Sequence, residues 1–320
     1  MEDPRPELLK VFHLPKLKVK TSGFKEAIFL CGGQLASNDE PPKSLRDRVH
    51  RLLKQNDHAL LKHIVLAEAF TDWFGPSIDT GYKDLISFEN DLATLAGLIV
   101  LIVESAGALA ELGAFCQLQP LADRLHVILH YTYASNRSFI VMGPVRYLES
   151  HYNNGAYVYD WPKDSSQADK SASDTLNEII DDIADRFGQL PQTEAFRGDN
   201  QGHRMLLICD LLHFFIALKE SEIHYFFSRL LPDPPLTESR LSQMLFVLQC
   251  KNLVKRKQYR NHVCYVFCGE ASPIIGHAVA SAFPDRDMTS LKWRIVKPFY
   301  ETESEKWRLK AAAQLDPESK

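Results

Sequence analysis

Residues 98–103 read Leu-Ile-Val-Leu-Ile-Val, six apolar side chains without interruption. Such a run predicts a strand covered on both faces, as in a parallel sheet. The segment that follows, Glu104-Ser-Ala-Gly-Ala-Leu-Ala-Glu-Leu-Gly-Ala-Phe115, returns apolar residues at Ala108, Leu109, Leu112 and Phe115. That spacing is helical, so the strand turns into a helix at residues 105–107. Glu104 and Glu111 therefore fall at a strand-to-helix transition, the edge where open α/β sheets hold their ligands. Glu111 is expected about one turn inside the helix, facing the crevice above the sheet.

Similar apolar runs recur on either side. After a polar, proline-containing arm (residues 1–24), Ala27, Ile28, Phe29 and Leu30 read as a strand that runs into Cys31-Gly32-Gly33, and glycines there allow close approach to a ligand. A helix with Leu45, Val49, Leu52 and Leu53 on one face follows, then a strand at 63–66 that ends at Glu68. Residues 69–83, with Phe70, Trp73, Phe74 and Tyr82, form a candidate lid. A helix over 84–96, the strand 98–103, a strand over 125–130 and a weak strand at 157–159 complete the pattern. Alternating strands and helices predict an α/β fold with a parallel, doubly wound sheet and right-handed crossovers.

That domain is expected to span residues 1–165, with a linker and helix over 166–202. Residues 203–320 form a mostly helical second domain. There, helices near 205–219, 222–231 and 237–250 precede two short strands joined by a basic turn, a winged-helix-like layout. Thr237 would cap the recognition helix, which carries Arg240. Lys251, Lys255, Arg256, Lys257 and Arg260 make the wing basic and are the candidate nucleic-acid contacts, with a solvated turn as the plainer reading.

Composition narrows the class. A net charge of −4 and a pI near 6.3 confine any nucleic-acid contact to a local patch. Six cysteines without a CxxC pair favour reduced thiols over a disulfide framework, and no metal site is expected. Neither a signal peptide nor an apolar stretch of membrane-spanning length is present, so a cytoplasmic protein with no membrane partner is expected.

The predicted strand ends collect Gly32, Gly33, Glu68, Glu104 and Glu111, with Glu89 and Asn90 on the intervening helix and Asn136, Arg137 and Ser138 after the fourth strand. Departure of a base from ribose develops oxocarbenium-like charge, which a carboxylate stabilises or traps as a sugar ester. Each residue also has a plainer reading. Glu104 and Glu111 are placed to pair with a helix dipole, Glu89 is placed as a surface helix residue, and Arg137 as the partner of a surface acid.

Four ordered segments, Ile28-Phe-Leu-Cys-Gly-Gly33, Leu85-Ile-Ser-Phe-Glu-Asn90, Glu104-Ser-Ala-Gly107 with Glu111-Leu-Gly-Ala-Phe115, and Arg137-Ser-Phe-Ile140 with Gly143-Pro-Val-Arg146, resemble the effector proteins of bacterial retrons. These effectors join a nucleoside deoxyribosyltransferase-like domain to a helical, winged-helix-like one. The resemblance covers residues 28–148 by motif and the remainder by layout.

It implies an N-glycosidase or ribosyltransferase that takes NAD as substrate rather than cofactor, serving as a toxin in anti-phage defence. It places the nucleophile at Glu111. Deoxyribosyltransferases carry an acid one turn earlier, where this chain has Ser105, which leaves Glu104 or Glu89 as the proton-shuttling group. Cys31, Gly32, Gly33, Glu68, Asn90, Ser105, Gly107, Asn136, Arg137 and Ser138 are the expected substrate contacts. Implied partners are a retron reverse transcriptase and its branched RNA-linked DNA (msDNA), in a multimeric complex that holds the effector inactive. The alternative is a nucleotide-sensing, DNA-binding regulator without turnover.

Overall fold

The computed structural model describes residues 2–21, 26–37, 39–74, 81–134, 137–152, 154–162, 170–284 and 286–313, except the side chains of 71–74, 170–172 and 280. Its main helices, in chain order, are α1 (Arg5–Leu8), α2 (Leu45–Gln55), α3 (Leu85–Thr94), α4 (Ala106–Phe115), α5 (Gln119–Ala122), α6 (Tyr131–Ala134), α7 (Arg146–Tyr152), α8 (Lys170–Gly188), α9 (Gln201–Phe215), α10 (Glu220–Leu230) and α11 (Glu238–Cys250). The strands are β1 (Lys18–Lys20), β2 (Ile28–Cys31), β3 (Ile64–Val65), β4 (Leu98–Val103), β5 (Leu125–His130), β6 (Ala156–Tyr159), β7 (Thr193–Ala195), β8 (Val254–Tyr259), β9 (His262–Phe267) and β10 (Ile274–Ile275).

Two compact units share the chain without being contiguous. One contains residues 24–72 and 92–191; the other contains 1–23, 73–91 and 192–320. This differs from the contiguous division expected from the sequence. The reason is that the stretch leading into α3 clusters with the helical unit, while α8, expected as a linker helix, packs into the sheet core.

The first unit is the parallel sheet, ordered β3-β2-β4-β5-β6. Every residue of β4 is at most 1% exposed, so each apolar side chain contributes about 1.5–3 kcal/mol by leaving water. Leu98, Val100 and Ile102 point into a core completed by Leu45, Val49 and Leu53 of α2 and by Ile179, Ile180 and Ile183 of α8. The alternate residues face the opposite side, where α4 buries Ala108, Leu112 and Phe115. The strand order reverses between β2 and β4, opening a crevice at their carboxyl ends, and there this class of sheet binds its ligands.

The second unit is built around α9, which is buried along nearly its whole length; apolar side chains dominate it, and its buried Arg204 and Asp210 are hydrogen-bonded within the unit. Helices α10 and α11 follow, and β8 and β9 then pair as an antiparallel hairpin. Strand β1 joins β7 and β10 in a small antiparallel sheet. The amino-terminal segment is thus not the polar arm read from the sequence. Leu8, Leu9, Val11, Phe12, Leu17 and Val19 are all buried, and their removal from water folds it against this unit.

Candidate active site

At the carboxyl end of β4, Glu104 accepts three backbone hydrogen bonds: from Gly33 N (3.1 Å), Leu45 N (2.7 Å) and Arg46 N (3.0 Å). Its carboxylate therefore joins β4 to the end of β2 and neutralises the positive end of α2. Ser44 caps the same helix, its Oγ accepting from Asp47 N at 3.0 Å. Gly33 has to be small, since a Cβ there would lie 2.6 Å from Ser44 Cβ and 2.9 Å from Glu104 Oε1. Gly32 adopts φ +153°, which an L side chain rarely takes. Cys31, just before it, is buried at the strand end.

Capping α2 aims Arg46 at the crevice. Its guanidinium donates to Gly33 O (3.3 Å) and forks onto Glu68 (2.6 and 2.8 Å), and its side chain is 5% exposed. Arg46 is a residue that sequence reasoning missed. The Ser44-x-x-Asp47 pattern that opens its helix was the signal for it. Burial would raise the Glu68 carboxyl, but the Arg46 bond and charge hold it below the ordinary range.

Glu111 stands on α4, six residues beyond the Ser105 cap, whose Oγ accepts from Ala108 N at 3.1 Å. Its Oε2 is buried and has no hydrogen-bond partner among the described residues. Burial pushes its carboxyl above the ordinary value, Arg46 pulls it down, and the charge of Glu68 raises it again. Such a carboxylate is poorly solvated.

Beside this cluster lies a cavity of about 270 Å³. Gly33, Glu104 and Ser105 line it, together with Lys43, Arg48 and Trp161, which the sequence did not single out. Glu111 does not line it, so the single open crevice expected around Glu111 is replaced by two adjoining places: the Arg46–Glu68–Glu111 cluster and the cavity.

The remaining candidates fall elsewhere. A Cβ on Gly107 would meet only Ser105 Oγ, at 3.8 Å, so protein packing does not demand glycine there. Asn136 lies outside the described residues; Arg137 is exposed, and Ser138 Oγ is buried without a hydrogen-bond partner among the described residues. Neither Arg137 nor Ser138 lines the cavity. Glu89 and Asn90 are half-buried on the part of α3 that clusters with the helical unit, and Asn90 Oδ1 is buried without a partner among the described residues. Of the lid segment, residues 75–80 and the side chains of 71–74 lie outside the description. Tyr82 is buried, donating to Asp91 at 2.5 Å.

Among the nucleic-acid candidates, Arg240 forks onto Asp91 (2.5 and 2.7 Å) and also reaches Gln201 and Gln243, so it is held inside its own unit. Lys251 is partly buried, which lowers its pKa. Lys255 and Lys257 are half-buried on β8, while Arg256 and Arg260 are exposed, the latter over Tyr259. No group of His, Cys, Asp and Glu suited to a metal occurs among the described residues, and no helix among them is long and apolar enough to cross a membrane.

Comparison with known proteins gives this architecture a family. In Escherichia coli, the "Retron Ec73 putative ribosyltransferase/DNA-binding protein" is 29% identical over 174 residues, 53% of each chain. The corresponding protein of retron Ec86, named in the same words, is 34% identical over 127 residues, 40% of this chain and 38% of the relative. The matched stretch thus spans about half the length of the first relative and less of the second. The family model of the STM3845 retron effector protein matches residues 42–256, from the start of α2 into β8 and across both the Glu104 cap and Glu111, and the chain belongs to that retron effector family.

Proposed function

We propose that the chain is a ribosyltransferase-like N-glycosidase that cleaves the nicotinamide–ribose bond of NAD or a related nucleotide. The observation that carries this reading is Glu111, a carboxylate beside a guanidinium with one oxygen buried and unpartnered among the described residues. Its oxygen attacks the anomeric carbon as the bond from that carbon to the base nitrogen breaks, and the bonding pair stays with the nitrogen. In NAD that nitrogen is cationic, so nicotinamide leaves neutral and needs no proton. This chemistry suits a site with Ser105 where deoxyribosyltransferases keep an acid, and it favours NAD over nucleosides with neutral bases. Water then attacks the sugar ester, gives its proton to a neighbouring carboxylate and releases ADP-ribose with Glu111 restored. Glu104, held by backbone donors, acts as a positioning residue, and Glu68 balances Arg46.

Turnover requires ionised Glu111, and Arg46 favours that state. Arg46→Gln should therefore shift the acid limb of the kcat/KM profile to higher pH, by about one unit for each 1.4 kcal/mol of charge interaction lost. An unshifted limb would separate Arg46 from the reactive carboxylate.

As a retron effector the enzyme would act as a toxin in phage defence, held inactive by reverse transcriptase and its RNA-linked DNA. The hairpin of β8 and β9, read as the wing of a winged-helix-like domain, supplies the nucleic-acid contact through exposed Arg256 and Arg260. Replacing either by Gln should weaken binding equally across DNA sequences and lower the salt slope by about one. Sequence-dependent losses would instead favour an operator-reading regulator. For the reaction itself, nucleotides profiled by mass spectrometry in cells expressing the chain without its partners should show NAD depleted and ADP-ribose raised. An unchanged NAD pool rejects the assignment.

A further inference from the structure

The cavity beside the Glu111 cluster has a chemistry of its own. Two cations, Lys43 and Arg48, line it together with the rings of Tyr133, Trp161 and His130. His130 is tethered at both nitrogens, to Thr132 Oγ1 (2.8 Å) and to the Trp161 carbonyl (2.9 Å), and its ring meets Trp161 edge-on at 4.6 Å. His130 and Trp161 are therefore set in the lining before any ligand arrives. Arg48 is 9% exposed, whereas Lys43 is exposed and, among the described residues, pairs with Glu40 at the surface, a contact of little worth that lets its ammonium turn toward an anion. Glu104, the carboxylate among the described lining residues, has its charge spread over three backbone donors.

Cations and preset aromatic rings in one lining are the complement of a nucleotide. The volume of about 270 Å³ lies near the small end of the usual range for ligand pockets. Ser105 lines the cavity, and Glu111 follows it by six residues, about 9 Å along the helix. A ligand that reaches both places is longer than a nucleoside.

We infer that this cavity docks the non-reacting, phosphate-bearing half of a dinucleotide, with the diphosphate on Lys43 and Arg48 and the ring of that half against Tyr133 and Trp161. The inference rests on the glycosidase reading above and makes the enzyme selective for dinucleotides over nucleosides. Binding energy gathered at the remote half holds the scissile bond at Glu111, so substrates cut short of the second nucleotide lose catalytic efficiency.

Calorimetric titration of the full chain with ADP-ribose, adenosine and inorganic diphosphate tests the docking without any turnover. ADP-ribose should bind at least about tenfold more tightly than adenosine, since only it meets the cations. Lys43→Gln should weaken ADP-ribose several-fold while leaving adenosine unchanged, and Arg48→Lys, which keeps the charge of a buried position, should retain most of the binding. Equal affinities for ADP-ribose and adenosine, no binding of ADP-ribose, or indifference to Lys43→Gln would each overturn the assignment. The two readings fail separately. ADP-ribose held through Lys43 by a protein that leaves NAD intact removes the glycosidase but keeps the pocket, whereas NAD cleavage with a KM untouched by Lys43→Gln does the reverse.

Discussion

Glu111→Gln should abolish NAD cleavage, by on the order of 10³-fold or more in kcat/KM, without loss of fold. Glutamine has the shape of glutamate but cannot form the sugar ester. The expected effect on stability carries as much information as the loss of activity. Folding holds the Glu111 carboxylate where burial and the charge of Glu68 oppose ionisation and Arg46 favours it. Its ionised form therefore costs stability at neutral pH, and a neutral isostere should leave the melting temperature unchanged or raised. Lost activity with retained or increased stability identifies a group kept for chemistry. Lost activity together with a marked fall in melting temperature would instead make Glu111 a packing residue, and full activity in the variant would refute the nucleophile.

The second large effect is expected in the helical unit. Glu222 on α10 accepts from Arg308 at 2.7 and 2.8 Å and from Arg5 at 2.8 Å, and the two guanidinium side chains are 2% and 6% exposed. Arg308 also donates to the Ala217 carbonyl, as does the Tyr300 hydroxyl, so one carboxylate gathers α10, the amino-terminal segment and the carboxyl-terminal helical turns. Glu222→Gln leaves two buried cations short of a counter-charge. Asp3 still bonds Arg5, and Glu305 still bonds Arg308, which places the cost near the lower end of the usual range, about 3 kcal/mol. A fall in melting temperature of roughly 6–12 °C should follow.

The pH dependence of that effect has a definite sign. Burial would raise the Glu222 carboxyl, but the bond and charge of Arg308, with Arg5, hold it below its ordinary value of 4.5. A depressed carboxyl stabilises the fold fully above its unfolded pKa and loses that contribution as pH falls through the folded one. The gap between wild type and variant should therefore be constant above about pH 5 and close progressively below 4.5. A gap that persists into acid would show that packing, not charge, makes the contribution.

Local pattern carried the strands of the sheet. Continuous apolar runs at 98–103 and 125–130 can be buried only between two covering layers, and the alternation of strands and helices then leaves a parallel order. Helix α4 and its Ser105 cap were legible for the same reason: helical spacing and a capping hydroxyl are properties of neighbours in the chain. The roles of the acids were not legible in this way. Glu104 and Glu111 read alike in sequence, both carboxylates near a helix start. What separates them is that Gly33, Leu45 and Arg46, which lie 58–71 positions from Glu104, bring their backbone N–H groups to it alone.

Burial periodicity is written residue by residue, and it laid out the sheet and the helices α2 and α4 but not the packing of α8 into the sheet core. Arg46 beside Glu111, the adjoining cavity with Lys43 and Arg48, and the pairing of Arg240 with Asp91 come only with the closed chain. So does the grouping of residues 73–91 with the helical unit. These depend on which distant groups satisfy one another's charges and hydrogen bonds, and that pairing exists only once the chain has closed on itself.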